Sequence, residues 1–157
     1  MLPTLHEGDV VHVSGWEARV GDVERGDVVV FTMKGGEAEV DGAEGVQSSG
    51  GAAGDEVYFV KRVIGLPGEE IVVRDGAVFV DGVVPDEPYA RGETWVSSFE
   101  DVTLTADGGG FVYMVPEGEY FVLGDNREAS IDSRNFTRSF VPREWVVGVV
   151  EAGTITL

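Results

Sequence analysis

Apolar residues in this chain come in short, valine-rich runs: Val10-Val11-His12-Val13, Val28-Val29-Val30-Phe31, Val57-Tyr58-Phe59-Val60, Ile71-Val72-Val73, Val78-Phe79-Val80 and Tyr120-Phe121-Val122-Leu123. β-Branched and aromatic side chains fit a pleated, half-buried surface and lose rotamer freedom in a helix. Between the runs stand pairs that tolerate positive φ or preset a turn: Gly8-Asp9, Gly26-Asp27, Pro67-Gly68, Asp75-Gly76 and Asp81-Gly82. An Asp-Gly pair between two apolar runs is a hairpin signal, and the second such pair extends the hairpin towards a meander. No stretch carries a 3.6-residue apolar period, and only Pro142-Arg143-Glu144-Trp145 predicts a helical turn before strand character resumes at Val146-Val147-Gly148-Val149-Val150. The expected fold is mainly β, built of antiparallel coiled, barrel-like sheets with little helix.

The length, 157 residues with 43% hydrophobic, suits one domain with a real core. The β core is expected in residues 1–80 and 117–157. Residues 81–116 are less regular, with Pro85, Pro88, Trp95 and the Gly108-Gly109-Gly110 run, and are expected to form a small inserted subdomain. Residues 34–55 are Gly, Ala, Ser, Glu and Asp with hardly any large apolar side chain, too little burial to offset ordering entropy, so a mobile loop is expected there.

With 29 acidic and 11 basic residues the formal net charge is −18, which repels a phosphate backbone and argues against nucleic acid as a partner. The chain has no cysteine, so thiol nucleophiles, thiolate metal sites and disulfides are excluded for it. His6 and His12 lie close in sequence, but a metal site would need carboxylates converging on them, and exposed histidines are the simpler reading. No run approaches the roughly 20 apolar residues of a membrane helix, so the chain reads as a water-soluble domain.

Four segments place polar or charged residues at strand margins: Met1 to Asp9, Arg25 to Phe31, Tyr58 to Gly68 and Leu123 to Arg134. Lys61 continues the apolar run Val57 to Val60 and precedes Arg62-Val63-Ile64-Gly65-Leu66-Pro67-Gly68. Burial there would disfavour the ammonium form, lower the pKa and let a neutral amine take a proton from a serine hydroxyl. The alternative for Lys61 is a side chain that snorkels to solvent or pairs with a carboxylate. In the last segment Gly124-Asp125-Asn126 suits a tight turn, and Ser130, Asp132 and Arg134 share the parity that would put them on one face of an extended strand. That segment reads equally as a turn braced by its own Asp-Arg pair or as a catalytic element.

Taken in order, the four segments resemble the signature boxes of bacterial type I signal peptidases, membrane-anchored Ser-Lys endopeptidases that remove signal peptides from exported preproteins. The resemblance rests on Met1-Leu2-Pro3-Thr4-Leu5 with Gly8-Asp9, on Arg25-Gly26-Asp27-Val28-Val29-Val30-Phe31, on Lys61-Arg62 with Gly65-Leu66-Pro67-Gly68, and on Gly124-Asp125-Asn126-Arg127 with Ser130-Ile131-Asp132-Ser133-Arg134. It covers both ends of the chain and leaves the middle, about residues 81 to 116, without a counterpart. It implies Lys61 as general base and Ser130 as the residue that hydrogen-bonds and orients it. Asp132 and Arg134 would brace the site as a salt bridge, with Asp125, Asn126 and Arg127 as structural support, and Met1, Leu2 and Pro3 would contact substrate. The family's first box opens with the nucleophilic serine, which is expected immediately ahead of Met1, so truncation is the expected reason that the chain carries neither it nor an upstream anchor. The resemblance further implies signal peptides and a lipid surface as partners, no metal or cofactor, a monomer, and a place on the extracytoplasmic face of the bacterial cytoplasmic membrane. A self-cleaving repressor domain with a Ser-Lys site lacks the third and fourth boxes, and a noncatalytic peptide-binding module that keeps the fold is the alternative from another class.

Overall fold

The computed structural model describes residues 1–15, 23–34, 56–96 and 101–151. The expected loop over 34–55 lies, beyond Lys34, outside the described residues. In chain order the elements are β1 (Val13–Gly15), β2 (Val28–Lys34), β3 (Glu56–Gly65), β4 (Glu70–Arg74), β5 (Ala77–Val80), β6 (Thr103–Leu104), β7 (Gly110–Met114), β8 (Glu119–Leu123), β9 (Val141–Pro142), one 3-10 turn at Arg143–Trp145, and β10 (Val146–Val150).

The strands pair antiparallel into two sheets, one ordered β1-β10-β2-β3-β8-β9 and one ordered β5-β4-β7-β6. The mainly β, antiparallel expectation is therefore met, and Arg143–Trp145 supplies the single helical turn predicted ahead of the last strand. The hairpin between β4 and β5 closes through Asp75 and Gly76, both at positive φ (51° and 75°), the primed-turn geometry that matches strand twist. Pairing joins β4 and β5 to β7 and β6, so residues 70–80 share a sheet with residues 103–114.

Two cores flank the middle of the larger sheet. Val29, Phe31, Met33, Val63, Val122 and Phe136 fill one, and Ile64, Ile71, Val73, Tyr113, Phe121 and Leu123 fill the other. Successive side chains of a strand point to opposite faces. Tyr120, Phe121, Val122 and Leu123 are all buried because β8 feeds both cores in turn, which explains an unbroken apolar run where a half-exposed strand would alternate. The site lies where β3 and β8 leave these cores.

Candidate active site

Lys61 stands on β3 opposite Val29 of β2. It shares parity with Phe59 and Val63, which pack on the first core, so its side chain leaves the sheet on a strongly apolar face. Burial is the largest influence on its ammonium and pushes its pKa below the ordinary lysine value; Arg134 acts in the same direction, and Asp132 and Asp125 oppose them. The α-amino group of Met1 is lowered in the same way, first by burial and then by the positive charge of Lys61, with Asp125 opposing. The Met1 nitrogen and Lys61 thus lie near enough for their charges to act on each other.

Around this pair the ionic groups are fixed by bidentate contacts. Arg62 donates from Nε and Nη2 to the two oxygens of Asp125 at 2.8 and 2.7 Å, and from Nη1 to the Gly26 carbonyl at 2.7 Å. The Thr4 hydroxyl donates to the same Asp125 carboxylate, so the first and third signature segments meet the fourth on one buried anion, and the second joins them through the Gly26 carbonyl on Arg62. Asp132 accepts from Arg134 Nε and Nη2 at 2.8 and 2.9 Å and from the Gly124 N–H at 2.9 Å. The Asp132–Arg134 pair is therefore formed, and both side chains are buried.

Residues 130–136 differ from the extended segment that parity suggested. They fold back as a turn, with the Asn135 and Phe136 N–H groups both donating to the Asp132 carbonyl at 2.8 and 3.1 Å. Ser133, of the opposite parity, also points inward, where its hydroxyl accepts from the Val122 N–H at 2.9 Å. Ser130 Oγ is buried and has no hydrogen-bond partner, so the contact to Lys61 that the resemblance implies is not among those formed. Gly124 earns its place by space: a Cβ there would lie 2.0 Å from Ser130 Oγ and 2.5 Å from Ser130 Cβ. Asn126 contributes its carbonyl, which accepts from the Ala129 N–H, and Arg127 reaches the Gly124 carbonyl and the Thr94 hydroxyl, both at 3.1 Å.

A groove of about 440 Å³ opens beside the pair, lined by Met1, Leu2, Leu5, His6, Glu7, Asp9, Val11 and Val60. Met1 and Leu2, expected to contact substrate, line it; Pro3 is exposed and does not. His6 and His12 are both exposed, and the His6 N–H is tied to the Asp9 carboxylate at 2.8 Å. No helix among the described residues is long and apolar enough to cross a membrane.

Sequence reasoning missed Glu87, Tyr89 and Thr94, all in the stretch without a counterpart in the signature boxes. Glu87 pairs with Arg127 at 2.6 Å, and the Arg62 guanidinium lies 3.9 Å from the centroid of the Tyr89 ring. A Glu and a Tyr two residues apart among prolines carry no signal of their own; only the fold brings them to the two arginines.

Residues 1–154 match the sequence model of the family described as "Signal peptidase, peptidase S26". Signal peptidase I of Bacillus licheniformis is 38% identical over 135 residues, covering 86% of this chain and 61% of its own length. Signal peptidase I S of Bacillus subtilis is 33% identical over 144 residues, covering 92% of this chain and 66% of its own length. The chain thus spans about two thirds or less of these two relatives. The crystal structure of a signal peptidase I from Enterococcus faecalis superposes with a TM-score of 0.52 at 33% identity, covering 83% of this chain and 97% of that one. The convergence of all four signature segments around Asp125 and Arg62 and the match over nearly the whole length place the chain in one family: it belongs to the signal peptidases of the S26 peptidase family.

Proposed function

We propose that this chain is the catalytic domain of a membrane-bound serine endopeptidase that removes N-terminal signal peptides from exported preproteins, with Lys61 as general base. The observation that carries the reading is a desolvated Lys61 near enough to the Met1 nitrogen for their charges to interact, with Met1 and the neighbouring Val60 both lining an apolar groove. A serine joined to Met1 through that nitrogen lies beside a lysine whose surroundings favour the neutral amine. Its hydroxyl proton passes to Lys61 Nζ as the oxygen bonds to the scissile carbonyl carbon. Collapse of the tetrahedral intermediate breaks the peptide bond, the leaving amine takes the proton, and water then hydrolyses the acyl-enzyme with Lys61 again accepting a proton.

Ser130 is assigned to orient Lys61, since its buried hydroxyl is uncommitted and packs on Gly124. Met1 and Leu2 face the substrate, an extended peptide with small residues near the cut. Leu2 and Val10, 47% and 46% exposed, suit a face resting on lipid at the outer side of the cytoplasmic membrane. The test is cleavage of a signal-peptide substrate in detergent by the chain extended at its N-terminus with Gly-x-Ser, beside its Lys61→Ala variant. Cleavage that falls roughly 10³-fold or more in Lys61→Ala supports the Ser-Lys reading. A folded, extended chain that binds the peptide without cutting it supports a binding module instead.

A further inference from the structure

Residues 87–94 run against the turn that begins at Gly124. Two backbone bonds clamp them there: the Arg91 N–H donates to the Asp125 carbonyl and the Arg127 N–H to the Arg91 carbonyl, both at 2.8 Å. Side chains then close a circuit. Glu87 accepts from Arg127 Nη2 at 2.6 Å and Nη1 at 3.2 Å, in a pair whose side chains are 13% and 2% exposed. The Tyr89 hydroxyl donates to the same Glu87 at 3.3 Å, while its ring lies against the Arg62 guanidinium. Arg62 returns to Asp125, the residue after Gly124.

Bidentate guanidinium pairs and stacked guanidinium-ring contacts fix orientation as well as distance. We propose that Tyr89 and Glu87 are positioning residues for the peptidase reaction, holding β3, which carries Lys61, at a fixed spacing from the turn that carries Asp125 and leads to Ser130. The inference rests on the reading of Lys61 as general base. Burial raises the Tyr89 phenol to about 12, with Glu87 adding to the rise and Arg62 and Arg127 opposing it, so the hydroxyl remains a donor through the working range.

Loosening the circuit changes Lys61 in one direction. The charged groups that act on its amine are Asp132, Arg134 and Asp125, the Met1 nitrogen being an uncharged amide once the chain is extended. An Arg62 released from Tyr89 neutralises Asp125 less well, which favours the ammonium. Water entering the loosened site relieves the desolvation that lowers its pKa, and this too favours the ammonium.

The chain has only two lysines, Lys34 and Lys61, so lysine labelled with ¹³C at Cε gives two signals, and Lys61→Ala identifies one of them. The extended chain and its Glu87→Gln and Tyr89→Leu variants would be titrated by NMR and assayed in parallel. The expected result is a Lys61 titration displaced upward towards the ordinary lysine value in both variants, with kcat lowered on the order of tenfold and KM held within about twofold. Tyr89→Phe, which keeps the ring, restores most of both. Glu87→Gln preserves shape and guards against a Tyr89→Leu that fails to fold. A Glu87→Gln protein that melts like its parent and leaves both the Lys61 titration and kcat unchanged overturns the proposal. If the parent itself cuts nothing, the peptidase reading fails, while the titration still decides whether the circuit holds Lys61.

Discussion

At Asp125 a carboxylate with no exposed surface faces the guanidinium of Arg62, so each charge depends on the other for its solvation. Arg62→Ala leaves the anion buried without its partner, and the expected cost is about 3–5 kcal/mol, read from urea or thermal unfolding. Arg62→Lys recovers only part of this, because one ammonium cannot reproduce the fork that bonds both Asp125 oxygens and the Gly26 carbonyl. Lys61 sets the pH dependence. Its folded pKa lies below the unfolded 10.5, so between the two values the unfolded chain binds more protons. Its contribution to stability therefore grows with pH across that window and is lost as pH falls through the folded value. On the proposed mechanism activity follows the same group: kcat/KM of the extended chain should rise with pH through a midpoint below that of an ordinary lysine, since only the neutral amine would accept the serine proton. A profile flat down to pH 5 would remove Lys61 from the role of base. A cation inside an apolar run marked Lys61 as unusual in the sequence, but that segment alone left open a side chain that snorkels to solvent or pairs with a carboxylate, and its burial is a product of the fold. Gly124 was legible only as a turn residue, since the approach of Ser130 that requires a glycine there arises from the fold of residues 124–130 and leaves no periodic trace.

Valine runs and Asp-Gly pairs made most strands readable, including β10 behind its one helical turn, because their local chemistry and their tertiary roles agree. Strands β6 and β7 were not, since Gly110 opens β7 and glycine weakens a strand pattern. The glycine is there for packing: a Cβ at Gly110 would come within 3.1 to 3.3 Å of Thr105, Arg74 and the Val73 carbonyl. Which strands share a sheet was equally hidden, because period-2 patterns give the face of a residue and not the identity of the neighbouring strand. Gly148 offers a test at this scale. A Cβ there would lie 2.3 Å from the Ser14 carbonyl oxygen, so Gly148→Ala must push β1 off β10 at the Ser14↔Val149 and Gly15↔Gly148 register. Strand β1 is three residues long and lies at the sheet edge, but it anchors the segment that brings Met1 to Lys61. Activity of the extended chain should therefore fall at least tenfold, by roughly 1.4 kcal/mol or more of transition-state stabilisation, while the melting temperature falls by only a few degrees. Amide exchange confined to residues 1–15 would confirm local release; loss of protection throughout the two cores would contradict it.

The molecule as a whole carries a formal charge of −18, and that excess acts against its compact state. Its exposed ion pairs act the other way. Arg74 reaches Asp107 at 2.6 Å, with side chains 39% and 55% exposed, and Arg138 pairs with Glu119 across a partly exposed surface. Such pairs contribute about 0–1 kcal/mol each, and salt weakens them. The pairs that hold the site, Arg62–Asp125, Arg127–Glu87 and Arg134–Asp132, lie largely out of solvent and are screened far less. Shortening the Debye length from about 30 Å at 0.01 M to about 3 Å at 1 M removes most of the long-range repulsion among the surplus carboxylates, at the loss of a few weak surface contacts. The melting temperature should therefore rise as NaCl increases over that range, and the Lys61 titration should move little because its neighbours are buried. Calorimetry across the salt series measures the first and NMR of the two lysines the second. A melting temperature that falls instead would mean that the surface pairs outweigh the net repulsion.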